Sequence, residues 1–90
     1  MTNPVRHYPP VRADGRRGVI LRSTIDDFRT LPEVTRAIIA RFGAPTDAAL
    51  ESIRTRRALK DLQRAGLVAK TPYGWRCTRA GQDMIEGRAA

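Results

Sequence analysis

Apolar positions in the middle of the chain recur at helical steps. Leu31, Val34, Ile38, Ile39 and Phe42 are spaced mostly by three or four residues, which lines one face of a helix over 31–42. Thr30-Leu31-Pro32-Glu33 opens it with a hydroxyl three residues before a carboxylate, the spacing of a reciprocal cap. Pro32 is tolerated in a first turn, where its missing N–H would be unpaired anyway. Gly43 suits a helix end, and Pro45 blocks continuation. Thr46-Asp47 then starts a further helical stretch through Ala48, Ala49, Leu50 and Ile53. From Thr46 to Ala65 there is no Gly or Pro. The pattern therefore fits one long helix, or a short helix and a longer one with Ser52 capping the second piece.

The two ends of the chain read differently. Residues 1–17 are punctuated by Pro4, Pro9, Pro10, Asp14 and Gly15 and carry too little apolar surface to offset ordering entropy, so they predict a flexible arm. Gly18-Val19-Ile20-Leu21-Arg22 predicts a short strand, because it is apolar and contains two β-branched residues. Ser23 or Thr24 is expected to cap a short helical turn through Asp26, Asp27 and Phe28. Toward the C-terminus, Gly66 suits a left-handed helix stop. Leu67-Val68-Ala69-Lys70-Thr71 and Trp75-Arg76-Cys77 alternate as strands around the turn Pro72-Tyr73-Gly74, which makes a β-hairpin. Thr78 caps a last helix through Ala80, Met84 and Ile85, ending at Gly87. The fold class is mainly α with a small β-hairpin, organised as an arm over 1–17 and a domain over 18–90.

Charge changes this picture more than size does. The chain has 90 residues, enough for one domain with a modest core. It carries 17 Lys plus Arg against 9 acids, a net charge of +8. The region around the 31–42 helix is neutral, so the excess lies in the N-terminal segment and in the two segments after residue 45. Such a balance favours a polyanion, either nucleic acid or an anionic membrane surface. Arg far outnumbers Lys, which suits forked contacts to phosphate and guanine, although a GC-rich genome has the same effect. A single cysteine, Cys77, excludes an internal disulfide and fits a reducing cytoplasm. No apolar run approaches membrane-spanning length, and no apolar leader opens the sequence. The chain is expected to be soluble, cytoplasmic and not associated with a membrane.

Catalytic chemistry is not expected. One His and one Cys do not supply the usual zinc spacings, no glycine-rich loop precedes a helix as a phosphate cradle would, and Asp26 and Asp27 are adjacent rather than facing. No cofactor or metal is implied. Cys77 is expected to be a small buried strand residue, and Trp75 a core plug over the 31–42 helix. Tyr73 is expected at the exposed hairpin tip, and His7 to be inert.

The helix from about 54 to 65 carries the functional signal. On a wheel of about 100° per residue, Thr55, Ala58, Leu59 and Leu62 fall on one side. Arg57, Lys60 and Arg64 fall on the other, flanked by Arg54, Arg56 and Asp61. One face packs and the other presents cations. A helix fits the major groove of B-DNA, where Arg reads guanine edges and Lys or Arg holds phosphates. The competing reading is an ordinary solvated face, since amphipathic helices turn their charges outward.

The residues after this helix favour the first reading. Leu62-Gln63-Arg64-Ala65-Gly66-Leu67-Val68 resembles the junction between recognition helix and first wing strand in winged helix-turn-helix regulators, the MarR-like group among them. Cys77-Thr78-Arg79-Ala80-Gly81 resembles that group's exit from the wing. The resemblance covers about residues 31–87. It implies a DNA-binding winged helix with Arg54, Arg56, Arg57, Lys60 and Arg64 on the recognition helix, and Lys70, Thr71, Tyr73 and Arg76 as wing contacts to the DNA backbone or minor groove. The chain departs from the MarR-like pattern in three ways: little room for a second helix after Thr46, a very short wing, and no long flanking helices. A compact form, as in phage repressors, excisionase-like factors and small accessory DNA binders, fits better.

Further expectations attach to this reading. Arm residues Arg6, Arg12, Arg16 and Arg17 are candidates for a neighbouring minor groove, against the alternative of a solubilising tail. A homodimer reading two half-sites would use either the 18–22 strand or the last helix. The main rival is a winged-helix protein-interaction module, whose exposed helix face should carry an apolar or acidic patch. Accessory roles in recombination or replication are a further alternative. Binding of RNA or an anionic membrane through the arm is less supported, because neither stacking aromatics nor an amphipathic arm is visible.

Overall fold

The computed structural model describes residues 11–44 and 46–87. Among these residues the chain forms α1 (Arg16–Ser23), α2 (Leu31–Phe42), α3 (Ala48–Arg64), the hairpin strands β1 (Val68–Thr71) and β2 (Gly74–Cys77), and α4 (Arg79–Glu86). The architecture is mainly helical with one small antiparallel hairpin. No helix among the described residues is long and apolar enough to cross a membrane.

The strand expected over 18–22 is a helix. Ile20, Leu21 and Thr24 are fully buried, Gly18 is buried, and Arg22 is exposed. Buried positions 18, 21 and 24, and 20 and 24, stand three or four residues apart, which is helical spacing once Thr24 is included. A short apolar run with β-branched residues does not by itself distinguish strand from buried helix, and tertiary packing decides. Thr24 also plays the opposite part to the one expected. Its hydroxyl donates to the carbonyls of Ile20 and Leu21 at 2.9 and 3.1 Å, which closes α1. No helical turn runs through Asp26–Phe28; the chain bends at Asp26 and Asp27 and is irregular at Phe28. Helix α1 begins at Arg16, inside the segment expected as arm, after a turn in which Gly15 N–H donates to Arg12 O at 3.1 Å.

Helix α2 has the expected bounds and cap. Thr30 N–H donates to the Glu33 carboxylate at 2.8 Å, and Glu33 N–H donates back to the Thr30 hydroxyl. The Thr30 backbone N–H first, and the Thr30 hydroxyl after it, hold the Glu33 carboxyl below its usual range. Val34, Thr35 and Ile38 are buried, but Phe42, expected on the same apolar face, is half exposed at the last turn. Gly43 comes next with φ 96°, a conformation that favours glycine.

Helix α3 settles the open alternative in favour of one helix of 17 residues, capped by Asp47, whose carboxylate accepts from Leu50 N–H at 3.1 Å. Ser52 lies inside it. Its buried stripe is Glu51, Thr55, Ala58, Leu59 and Leu62. The apolar members of this stripe, with Ile20, Leu21, Val34, Ile38, Leu67, Val68, Trp75 and Ile85, form the core. The buried acid is paired: Arg16 of α1 donates to the Glu51 carboxylate, which ties the first helix to the third.

The two C-terminal motifs close on each other. Thr78 N–H donates to Leu67 O at 3.0 Å, and the Thr78 hydroxyl donates to Gly66 O at 2.6 Å while accepting from Gly81 N–H at 3.1 Å. A Cβ at Gly81 would lie 2.1 Å from Leu67 O. Position 81 must therefore be glycine for α4 to dock on the junction between α3 and β1. Helix α4 ends at Gly87 in the left-handed conformation, as expected.

The hairpin pairs Val68 with Cys77, Ala69 with Arg76, Lys70 with Trp75 and Thr71 with Gly74. Gly74, expected in the turn, joins β2, with φ 125°. The backbone of Arg29 runs against it, and a Cβ there would lie 2.6 Å from Arg29 O. That approach lets Arg29 and Trp75 exchange two backbone hydrogen bonds, at 2.7 and 2.9 Å. The loop between α1 and α2 thereby adds a one-residue third rung to the hairpin.

Candidate nucleic-acid interface

Helix α3 turns its cations outward. Arg54, Arg56, Arg57, Lys60 and Arg64 are all exposed, opposite the stripe that packs into the core. All but Arg54 line one or both of two concave surfaces. On the outer side Arg56, Arg57, Lys60 and Arg64 surround Ile53 and Asp61 in an open depression of about 440 Å³. Toward the hairpin, Arg56, Lys60 and Gln63 meet Lys70 and Trp75 over Leu31 in a groove of about 300 Å³. Arg54 lies on the flank, where its charge helps to hold the Glu51 carboxyl below its usual range, after the larger effect of the Arg16 hydrogen bond.

The hairpin splits the expected wing residues between its two faces. Directly paired residues share a face, and successive residues alternate. Lys70 therefore goes with Trp75, and its Nζ lies 5.7 Å from the centre of the Trp75 ring. Trp75 is buried, as expected, and it also walls the groove. Arg76 pairs with Ala69 on the other face, where its guanidinium lies 5.0 Å over the Phe28 ring. Phe28 in turn lies 5.7 Å from Tyr73, which is the most exposed large apolar side chain among the described residues at 76%. The Thr71 hydroxyl is used within the turn, donating to Gly74 O at 2.8 Å and accepting from Tyr73 N–H. The structure thus joins Lys70 to the α3 face and leaves Arg76 and Tyr73 around Phe28 on the far side of the hairpin.

The arm residues have intramolecular partners where they are described. Arg12 pairs with Asp14 at 3.3 Å, Arg16 with Glu51, and Arg17 with Asp61 at 3.8 Å. Arg6 and His7 lie outside the described residues. Asp61 also approaches Arg64 at 3.8 Å, so one acid sits among the α3 cations. The 18–22 strand is not available as a dimer edge, because those residues form α1 and Gly18, Ile20 and Leu21 are buried. Burial pushes the Cys77 thiol up to about 11, which keeps it protonated at neutral pH.

Three participants lie outside the contact set expected from the sequence. Gln63 places an amide beside Arg56 and Lys60, Phe28 forms the platform under Arg76, and Ile53 stands 54% exposed among the arginines. Extending the helical wheel back to Ala48 finds Ile53, and hairpin register separates Lys70 from Arg76. Phe28 has no comparable local signal. Comparison of the chain with protein-family models, with curated proteins and with solved structures returns no match.

Proposed function

We propose that this chain is a compact winged helix-turn-helix protein that binds duplex DNA sequence-specifically and serves transcription regulation. In this reading α1, α2 and α3 are the three helices of the fold, Arg29 supplies the short first strand, and β1–β2 is the wing. Assigning α1 to the first helix answers the shortage of room after Thr46: α2 becomes the second helix and α3 the third, so a separate helix before the basic one is not needed. The observation that carries the function is the convergence of Arg56 and Lys60 from α3 with Lys70 from the hairpin on one groove, beside the exposed Arg57 and Arg64. A cationic helix enters the major groove, and a lysine on the adjoining strand meets the flanking phosphates.

The test is a site selection on random duplex followed by the double substitution Arg57→Ala with Lys60→Ala. Both side chains are exposed, so folding should be retained while specific binding is lost. A folded double variant that keeps its specificity would place recognition on another element.

A protein-docking reading has its own support. Phe42 and Leu50 are 50% and 41% exposed, at the end of α2 and the start of α3. If these residues dock a protein, substituting Phe42 and Leu50 by Ser should abolish that association and leave duplex binding unchanged.

A further inference from the structure

The outward face of α3 is not uniformly charged, and Ile53, its most exposed large aliphatic member, occupies the central position. At about 100° per residue, the buried residues Glu51, Thr55, Ala58, Leu59 and Leu62 spread around one direction. The opposite direction falls on Ile53, with Lys60 and Arg56 to one side and Arg64 and Arg57 to the other. Ile53 is 54% exposed, and the same four cations line the depression around it. A helix laid in the major groove presents the centre of its outward face to the groove floor and its flanks to the walls. The flanking cations are thus directed toward phosphates and guanine edges, and Ile53 toward base edges. The apolar group on that floor is the C5 methyl of thymine. A β-branched side chain has one stiff χ1 torsion, so it presents its methyls at little entropic cost. Its position in the first half of the helix agrees, since the N-terminal part of a recognition helix makes the base contacts.

We propose that Ile53 is a specificity-determining residue that reads a thymine methyl in the major groove, between the contacts made by Arg57 and Lys60. This rests on the DNA-binding reading above. The apolar contact reads the C5 methyl itself, which a hydrogen bond from a cation to a base edge does not sense.

The experiment uses the full chain and the duplex recovered by site selection, with each thymine replaced in turn by deoxyuridine, which removes only the methyl. At one or two adjacent positions the replacement should weaken wild-type binding about 3- to 5-fold, the worth of one buried methyl group. Ile53→Ala should bind the thymine duplex more weakly by a similar factor and no longer distinguish deoxyuridine at those positions, while Ile53→Val keeps part of the discrimination. Equal wild-type binding of every thymine and deoxyuridine duplex overturns the proposal, as does discrimination that persists in a folded Ile53→Ala. Sequence-selective binding with no methyl effect defeats this inference alone. Failure to bind any duplex defeats the DNA-binding reading with it.

Discussion

Single residues fix how the elements of this chain meet. Gly81 is the clearest case, because its N–H completes the Thr78 cap while its missing side chain admits the Leu67 carbonyl. Gly81→Ala should cost about 1–3 kcal/mol through forced repacking. The check is the urea midpoint, and an unchanged midpoint would contradict the close approach. Glu51 gives a pH-dependent counterpart. Its carboxyl lies below the usual 4.5, chiefly through the hydrogen bond from Arg16. A group depressed in the folded state adds stability in full above its unfolded value, and that stability is lost as pH falls through the folded value. Arg16→Ala should therefore cost about 1–2 kcal/mol at neutral pH, and the difference from wild type should shrink as the pH is taken below 4.5. A gap that is constant or widens in acid would show that the pair does not set this dependence.

At the scale of elements, legibility followed the locality of the signal. The α2 capping box, the Asp47 start, the Gly66 stop and the Thr78 cap involve residues within one turn of each other, so their bounds could be read directly. Helix α1 could not, because Val19-Ile20-Leu21 has no period of its own and its conformation depends on Thr24 and on packing against α2 and α3. The register that sends Lys70 and Arg76 to opposite faces likewise depends on Gly74 joining the strand. The cationic face was legible from helical period alone, whereas the central place of Ile53 emerged only with an uninterrupted α3. That continuity is testable. Asp47→Ala should cost about 1 kcal/mol by removing the cap. Ser52→Ala should be neutral or slightly stabilising, since alanine is the better helix former in a helix interior. A second helix beginning near Ser52 would reverse this order in thermal melts.

Across the whole molecule, the positive charge is unevenly used. Arg16 is paired with the buried Glu51 and Arg17 lies against Asp61 at the surface, and both contacts help to hold α1 on α3. Arg56, Arg57, Lys60 and Lys70 remain on the surface, gathered from a helix and a hairpin that sequence separates and folding joins. The proposed function depends on this gathered field rather than on net charge as such. A protein whose cations are merely solvated gains little from any one polyanion, whereas a shaped cationic surface releases a defined number of counterions when it meets DNA.

The most direct test is the affinity for a selected duplex, measured across a range of salt concentrations. About 4–6 phosphate contacts per protomer predict a log–log slope of roughly −4 to −5. Substituting Lys70 by Ala should reduce that slope by about 1 while leaving sequence preference intact. A flat salt response, or no retardation of any duplex at low salt, would contradict the account.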